Sequence, residues 1–356
     1  MPASARQLGD FSCDIFCAVI DNFGDAGVCW RLARQLATEH GWRVRLWIDD
    51  PAPIALLAPK QDVVDVRHWT SDLIGVDPAQ IVIEAFACNL SAAYVDAMAQ
   101  QARPPVWLNL EYLSAEDWVA GCHGLPSPHP PLVKHFFFPG FVPGTGGLLR
   151  ERDLAVPPAP SFSGTLEVSL FCYENPQLPA LLAAWRDGDR PITCHVCAGL
   201  PRRQVADWLG AAFPEGATAR HGNLTLHALP FLPQTEYDAL LARCHLNFVR
   251  GEDSFVRAQW AGRPFVWQAY PQAENVHLAK LEAFLNLYAK VGADGTALRS
   301  FFRAWNGDSA LDWPAHWSSF AAQLPVLAAA APGWARQIAA HGDLATNLVK
   351  FCREKL

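Results

Sequence analysis

The sequence predicts two successive α/β domains, each built on a mostly parallel β-sheet. Strand-like and helix-like segments alternate in both halves of the chain, and a stretch rich in glycine and proline separates the halves. The chain has 356 residues, which is more than one ordinary hydrophobic core requires. Hydrophobic residues make up 51% and charged residues 18%, a balance typical of a folded globular protein.

The first half shows the alternation of a doubly wound sheet. The pattern predicts strands at residues 13–20, 43–48, 81–86, 106–110 and 135–138, and helices at residues 28–39 and 92–101. The inter-domain linker is expected between residues 138 and 163, where glycine and proline recur. The predicted domains are therefore residues 1–160 and 161–333.

The same rhythm resumes after the linker. It predicts strands at residues 166–171, 192–196, 224–228, 246–249 and 264–267, and helices at residues 178–185, 204–210, 234–243, 254–260 and 274–288. Residues 334–356 again have a helical pattern, and we expect this segment to pack back on the first domain.

Composition and cysteine usage exclude several classes of protein. A formal net charge of −7 argues against a general nucleic-acid or anionic-membrane binder. No apolar run is long enough to span a bilayer, and the first residues lack the features of a secretory signal, so a cytoplasmic protein is predicted. The ten cysteines are scattered singly, as expected of reduced thiols.

Two short patterns resemble metal sites but have simpler interpretations. Cys194 and Cys197 have metal-like spacing, yet no second ligand pair lies near them in the sequence, so a buried strand is the better interpretation. Asp187 and Asp189 form a D-x-D sequence between a helix and a strand, where a simple turn is expected. Neither pattern is therefore good support for a metal site.

Ligands of open α/β sheets bind beyond the carboxyl ends of the strands, so the residues after each strand matter most. After the first strand, a loop containing Gly24 and Gly27 is flanked by Asp21 and Asp25. The paired carboxylates do not match a dinucleotide fingerprint and would repel a pyrophosphate. They suit a cationic substrate or a base that accepts a proton, although either aspartate could instead only cap the following helix.

A second such place lies around residues 246–259, where a strand, a charged turn and a helix follow one another. The helix amides near Ser254, together with Arg250 or Arg257, could hold a diphosphate. Ser254 or Asp253 could equally be an ordinary N-cap. Aromatic and amide side chains that follow other strands could bind a nucleobase or belong to the core: Phe171, Tyr173, Phe231, Gln234 and Tyr270.

Four motifs in order make the chain similar to a known family. The elongation factor P arginine rhamnosyltransferases are similar in four places: Ile-Asp-Asn-Phe-Gly-Asp-Ala-Gly-Val-Cys-Trp-Arg-Leu-Ala-Arg-Gln-Leu (20–36), Phe-Cys-Tyr-Glu-Asn (171–175), Arg-Gly-Glu-Asp-Ser-Phe-Val-Arg-Ala-Gln (250–259) and Tyr-Pro-Gln-Ala-Glu-Asn-Val-His (270–277). The resemblance runs from about residue 13 to the C-terminus. It implies a GT-B glycosyltransferase fold, in which two Rossmann-like domains face each other across a cleft.

The resemblance also implies an activity. It implies inverting, metal-independent transfer of rhamnose from dTDP-β-L-rhamnose to an arginine of elongation factor P, which activates that factor. The matching positions imply Asp25 as the base, with Asp21 and Glu252 as further catalytic carboxylates. The implied donor-binding residues are Asn22, Gly24, Phe171, Tyr173, Phe231, Gln234, Arg250, Asp253, Ser254 and Tyr270.

Three other functions stay open on the sequence. A GT-B transferase could use another sugar nucleotide or acceptor, because donor-pocket motifs can outlast a change of substrate. A nicotinamide-dependent oxidoreductase would also have Rossmann-like halves, but the missing G-x-G-x-x-G pattern counts against it. A non-catalytic module that binds elongation factor P would leave the three carboxylates without a purpose.

Overall fold

The chain folds into two compact units. The computed structural model describes residues 11–21, 23–60, 63–70, 73, 75–154, 158, 160–290, 295–307 and 312–356. The first unit comprises Met1–Leu154 with Ile338–Leu356, and the second comprises Ala155–Gln337. The sequence-based boundaries, after residues 160 and 333, lie within a few residues of these positions.

The first unit is a sheet flanked by helices. Its elements in chain order are β1 (Ser12–Cys17), α1 (Phe23–His40), β2 (Arg43–Ile48), α2 (Ala52–Leu57), β3 (Asp65–His68), β4 (Ile81–Ala85), α3 (Ala92–Ala99), β5 (Val106–Leu110), α4 (Val119–Cys122), β6 (Pro126–His129) and β7 (Leu132–Phe137). The strand order is β3-β2-β1-β4-β5-β7-β6, and among these strands only β6 runs antiparallel to its neighbour. The order therefore reverses direction between β1 and β4.

A buried carboxylate ties the centre of this sheet together. Asp14 in β1 has no exposed surface, and its oxygens accept hydrogen bonds from Arg45 Nε at 2.5 Å and Nη2 at 2.6 Å. They also accept from Trp47 Nε1 and the Ala79 amide, each at 2.9 Å, and from the Tyr94 hydroxyl at 2.5 Å. Because a buried charge is tolerated only when it is paired and hydrogen-bonded, this network links β1 and β2 to α3.

The second unit repeats the architecture. Its elements are β8 (Leu166–Leu170), α5 (Leu178–Asp187), β9 (Ile192–Val196), α6 (Leu200–Leu209), β10 (Thr218–His221), β11 (Leu224–Ala228), α7 (Gln234–Arg243), β12 (Leu246–Arg250), α8 (Asp253–Ala261), β13 (Phe265–Gln268), α9 (Val276–Tyr288), α10 (Gly295–Trp305), α11 (Trp313–Ala321) and α12 (Leu324–Ala339). The strand order is β10-β11-β9-β8-β12-β13, and β10 is the antiparallel strand of the described set. Here the order reverses between β8 and β12.

The last helix, α13 (Leu344–Lys355), belongs to the first unit. Asp343 caps it by accepting from the Thr346 amide at 2.9 Å, and Gln35 of α1 donates to the same carboxylate at 3.0 Å. The predicted single helix over residues 334–356 is therefore wrong in one respect, because residues 334–339 end α12 and a turn precedes α13.

The ten cysteines are free thiols, and Cys194 lies on the buried strand β9 as predicted. Burial raises the pKa of the Cys172 and Cys244 thiols to about 12, so both stay neutral at physiological pH. None of the helices in the described residues combines the length and the apolar character needed to cross a membrane.

Candidate functional site

Asp25 lies at the carboxyl edge of the first sheet, beside the position where the strand order reverses. Its Oδ2 accepts hydrogen bonds from the Ile20 and Asp21 amides, each at 2.9 Å, and its side chain is 3% exposed. The carboxylate therefore stabilises the β1–α1 connection. Because Asp25 lies in the first turn of α1, its negative charge also interacts favourably with the positive end of the helix dipole. These hydrogen bonds give Asp25 a structural role similar to that of a helix cap. They also hold its carboxylate in a fixed position at the end of the strand.

The connection differs from the predicted loop. Helix α1 begins at Phe23 rather than near residue 28, so Gly24 and Gly27 lie inside its first turns. The apolar periodicity missed this turn because glycine is a poor helix former. Gly24 has a different purpose: a Cβ atom built there would come within 2.8 Å of Asp21 Oδ2. The missing side chain lets the partly buried Asp21 carboxylate pack against the helix. The adjoining Asn22 lies outside the described residues.

Arg250 is the centre of the arrangement at the carboxyl edge of the second sheet. It ends β12, and its guanidinium carbon lies 4.5 Å from the ring centroid of Phe171 and 4.4 Å from that of Tyr173. Both aromatic residues follow β8, the neighbour of β12 where the strand order reverses. The adjacent strands thus place a cation on two aromatic faces at the usual ligand position of such a sheet.

Ser254 connects this strand end to the start of α8. Its hydroxyl donates to the Arg250 carbonyl at 2.5 Å and accepts from the Arg250 amide at 2.9 Å. The helix begins at Asp253, and the N-cap position is occupied by Glu252, whose side chain makes no cap hydrogen bond. Ser254 and Asp253 are therefore not N-caps, because both lie within the helix.

A pair of contacts holds the beginnings of α7 and α8 together. Gln234 Nε2 donates to Asp253 Oδ2 at 3.3 Å, and one turn later Arg257 bonds Asp238 through Nε at 3.0 Å and Nη2 at 2.9 Å. Arg257 is 3% exposed and engaged in this ion pair. Of the two arginines considered for binding a diphosphate, the geometry therefore favours Arg250.

Two other predicted donor residues lie in loops of the same unit. Tyr270 follows β13, is 46% exposed and packs edge-on against Tyr173 with ring centroids 5.3 Å apart. Phe231 lies partly buried in the connection between β11 and α7. Gln268 ends β13 in the same polar and aromatic stretch as Tyr270, and its Oε1 accepts from the Tyr173 amide at 2.9 Å.

The two edges offer complementary chemistry. At the second edge a guanidinium lies beside a helix N-terminus, and both favour a bound anion. The neighbouring aromatic rings can stack on a base or a sugar. At the first edge two carboxylates can bind a cationic group or accept a proton.

Comparison with known proteins gives consistent matches over almost the whole chain. Residues 13–353 match the family model described as "Elongation-Factor P (EF-P) rhamnosyltransferase EarP". A protein-arginine rhamnosyltransferase of Pseudomonas putida is 48% identical, with 96% of this chain and 99% of that protein covered. A protein of the same description from Shewanella oneidensis is 39% identical, covering 96% of this chain and 97% of that protein.

Solved structures agree with these matches. One, from work on EarP-mediated arginine glycosylation of translation elongation factor EF-P, is 35% identical with a TM-score of 0.69, covering 98% of this chain and 100% of that one. The calicheamicin glycosyltransferase CalG4 has a TM-score of 0.52 at 14% identity, covering 99% of this chain and 100% of that chain. These similarities identify the fold as GT-B, as predicted.

Proposed function

Because this chain belongs to the elongation factor P rhamnosyltransferase family, we propose that it transfers rhamnose from dTDP-β-L-rhamnose to an arginine of translation elongation factor P, which activates the factor. The observation that carries the proposal is the family match over residues 13–353, which includes both sheet edges. The proposed reaction takes place in the cytoplasm, with no metal and no other cofactor.

The second unit supplies the donor site in this proposal. Arg250, held on Phe171 and Tyr173, and the N-terminus of α8 at Ser254 balance the negative charge of the diphosphate. Tyr270 and Phe231 contact the base or the sugar, and Gln234 with Asp253 keeps the starts of α7 and α8 aligned. A fixed positive environment of this kind replaces the metal ion that other transferases use for the leaving group.

The first unit supplies the acceptor chemistry. An arginine guanidinium is a poor nucleophile because it is protonated in water. Asp21 and Asp25 hold it by charge-assisted hydrogen bonds and orient one nitrogen for attack on the anomeric carbon. Glu252, which belongs to the second unit, is the third proposed catalytic carboxylate. As the C–N bond forms and the bond from the anomeric carbon to the diphosphate oxygen breaks, Asp25 takes the proton and dTDP leaves. Direct displacement inverts the configuration at the anomeric carbon.

Replacing Gly24 with alanine tests the position of Asp21. The new Cβ would meet Asp21 Oδ2 at 2.8 Å, so the carboxylate must move while the helix gains a better helix former. We expect turnover to fall about tenfold, the cost of a misplaced catalytic group, with no loss of thermal stability. Gly121→Ala is the control, because that glycine has open space around its Cβ position. Equal kcat in both variants would contradict the role of Asp21.

Replacing Arg250 with lysine tests the donor site. Lysine keeps the charge but loses the planar group that lies on both rings, so dTDP affinity should fall about tenfold to a hundredfold. Isothermal titration calorimetry with dTDP measures this directly. Arg243→Lys is the control, because Arg243 lies exposed in the last turn of α7. Unchanged affinity in Arg250→Lys would place the diphosphate elsewhere.

The donor and the metal requirement can be tested in one assay. We expect dTDP release from dTDP-β-L-rhamnose in the presence of elongation factor P, at the same rate with EDTA as with added Mg²⁺. Competing UDP- and GDP-sugars should not slow it. Activity with another sugar nucleotide and none with dTDP-rhamnose would favour a GT-B transferase of different donor specificity, and loss of activity in EDTA would contradict the metal-free mechanism.

A further inference from the structure

The carboxyl edge of the first sheet also carries an exposed apolar surface that has no role in the proposed chemistry. Ile20 is 67% exposed, Tyr112 37% and Trp118 51%. Ile20 follows β1, Tyr112 follows β5, and Trp118 contacts Phe138, the residue after β7, with ring centroids 5.4 Å apart. We call Ile20, Tyr112 and Trp118 the edge patch.

The edge patch extends along the sheet. Strands β1, β4, β5 and β7 are consecutive and parallel, so their carboxyl ends lie side by side. At ~4.8 Å between neighbouring strands, the distance from the end of β1 to the end of β7 is roughly 14 Å. This span is several times the size of a guanidinium group, which suits contact with a surface of another protein.

The local structure holds the exposed rings in place. Tyr112 stacks on Phe86 with ring centroids 4.3 Å apart and planes at 13°. Phe86 has φ of +59°, a left-handed conformation that is unfavourable for a bulky side chain. The Phe86 amide donates to the Leu110 carbonyl at 2.7 Å, and the Ala87 amide donates to Asn109 Oδ1 at 3.1 Å. These hydrogen bonds stabilise the strained turn at Phe86. The ring of Phe86 is therefore held in place and gives Tyr112 a rigid support.

The segments around the edge patch are strongly acidic. Residues 18–25, 86–91 and 111–118 contain no lysine or arginine, and four of their carboxylates are at least partly exposed: Asp21, Glu111, Glu116 and Asp117. Such a surface attracts and orients a positively charged partner. Exposed Trp and Tyr side chains on rigid supports are the residues that most often dominate the energy of a protein interface.

We propose that the edge patch is the docking surface for the protein acceptor and binds a basic loop that carries the target arginine together with neighbouring apolar residues. The inference rests on the proposed function and specifies where the acceptor binds. The rings of Tyr112 and Trp118 contact the loop beside the arginine, and the surrounding carboxylates provide the charge complementarity. Catalytic groups at Asp21 and Asp25 then receive an acceptor that is already oriented.

Steady-state kinetics with Tyr112→Ala and Trp118→Ala test the proposal. We expect KM for elongation factor P to rise about tenfold or more, while kcat and the KM for the donor stay within about twofold. Tyr112→Phe and Trp118→Phe should largely restore the KM, because the aromatic contact remains. Val133→Ala is the control, because Val133 is 44% exposed near the start of β7, away from the carboxyl edge. The KM of this variant for elongation factor P should not change.

Binding of elongation factor P without donor, measured by fluorescence anisotropy, separates the possible failures. If the wild-type chain binds and modifies the factor, but the alanine variants have the wild-type KM for the factor, the docking surface is wrong and the proposed function stands. A fall in kcat alone would also overturn the docking role. If the factor binds without being modified and the variants weaken binding, docking stands and the proposed reaction fails. No binding at all would overturn both.

Discussion

Asp25→Asn is expected to lower kcat about 1000-fold while leaving the fold and dTDP binding intact. Asparagine keeps a carbonyl oxygen that can accept the hydrogen bonds of the Ile20 and Asp21 amides, so the β1–α1 connection should survive. It cannot take a proton from the guanidinium, which must lose one as the C–N bond forms. Single-turnover rates with elongation factor P, together with dTDP titration, measure both effects.

Asp343→Asn is the matched control for this variant. Asp343 also accepts a backbone amide at a helix start, and it lies in the same unit beside α13. We expect its kcat to stay within about twofold of wild type. If Asp25→Asn kept near-normal turnover, Asp25 would be only a structural residue, and the same substitution at Asp21 would then identify the base. The two carboxylates can also share the proton, in which case each variant retains partial activity.

Asp14→Ala is expected to cause the largest loss of stability in the first unit. It would leave the buried Tyr94 hydroxyl, Trp47 indole and Ala79 amide without their acceptor, at a cost of about 3–5 kcal/mol in the free energy of unfolding. Burial and the nearby Asp14 raise the pKa of Tyr94 well above its ordinary value, so its hydroxyl remains a donor. Hydrogen exchange of the β1 and β2 amides reports this loss locally.

Two further variants are expected to lower the free energy of unfolding by less than Asp14→Ala does. Tyr94→Phe removes one donor and leaves the others, so we expect a smaller loss of about 1–2 kcal/mol. Asp65→Ala breaks an exposed ion pair with Arg67 in the same sheet, and such pairs contribute less than about 1 kcal/mol. If Asp14→Ala were no more destabilising than Asp65→Ala, the buried network would not be what holds β1 and β2 to α3.

The strands inside each sheet could be predicted because buried apolar residues recur along each of them. The predicted bounds of β2, β5, β9 and β11 match the structure, as do those of α7. The strands β3, β6 and β10 were missed. Each is four residues long, mostly exposed and polar, and each lies at the edge of its sheet. Short polar edge strands avoid pairing with other chains, and this leaves no hydrophobic pattern to detect.

The candidate sites could be predicted in position but not in detail. The rule that ligands bind beyond strand ends pointed to both edges, and the structure places Asp25 after β1 and Arg250 at the end of β12, two strands at which the sheet order reverses. The sequence could not show that the hydroxyl of Ser254 bonds the backbone of Arg250, or that Arg257 is engaged by Asp238. These contacts depend on tertiary packing between α7, α8 and β12. The strained backbone at Phe86 likewise has no local sequence signal.

The most direct test of the account is the intact mass of elongation factor P after incubation with this chain and dTDP-β-L-rhamnose in EDTA. The account predicts a gain of one deoxyhexose, located on an arginine by fragmentation, and no gain with Asp25→Asn. An unchanged mass, with dTDP-rhamnose bound by the wild-type chain, would contradict elongation factor P as the acceptor.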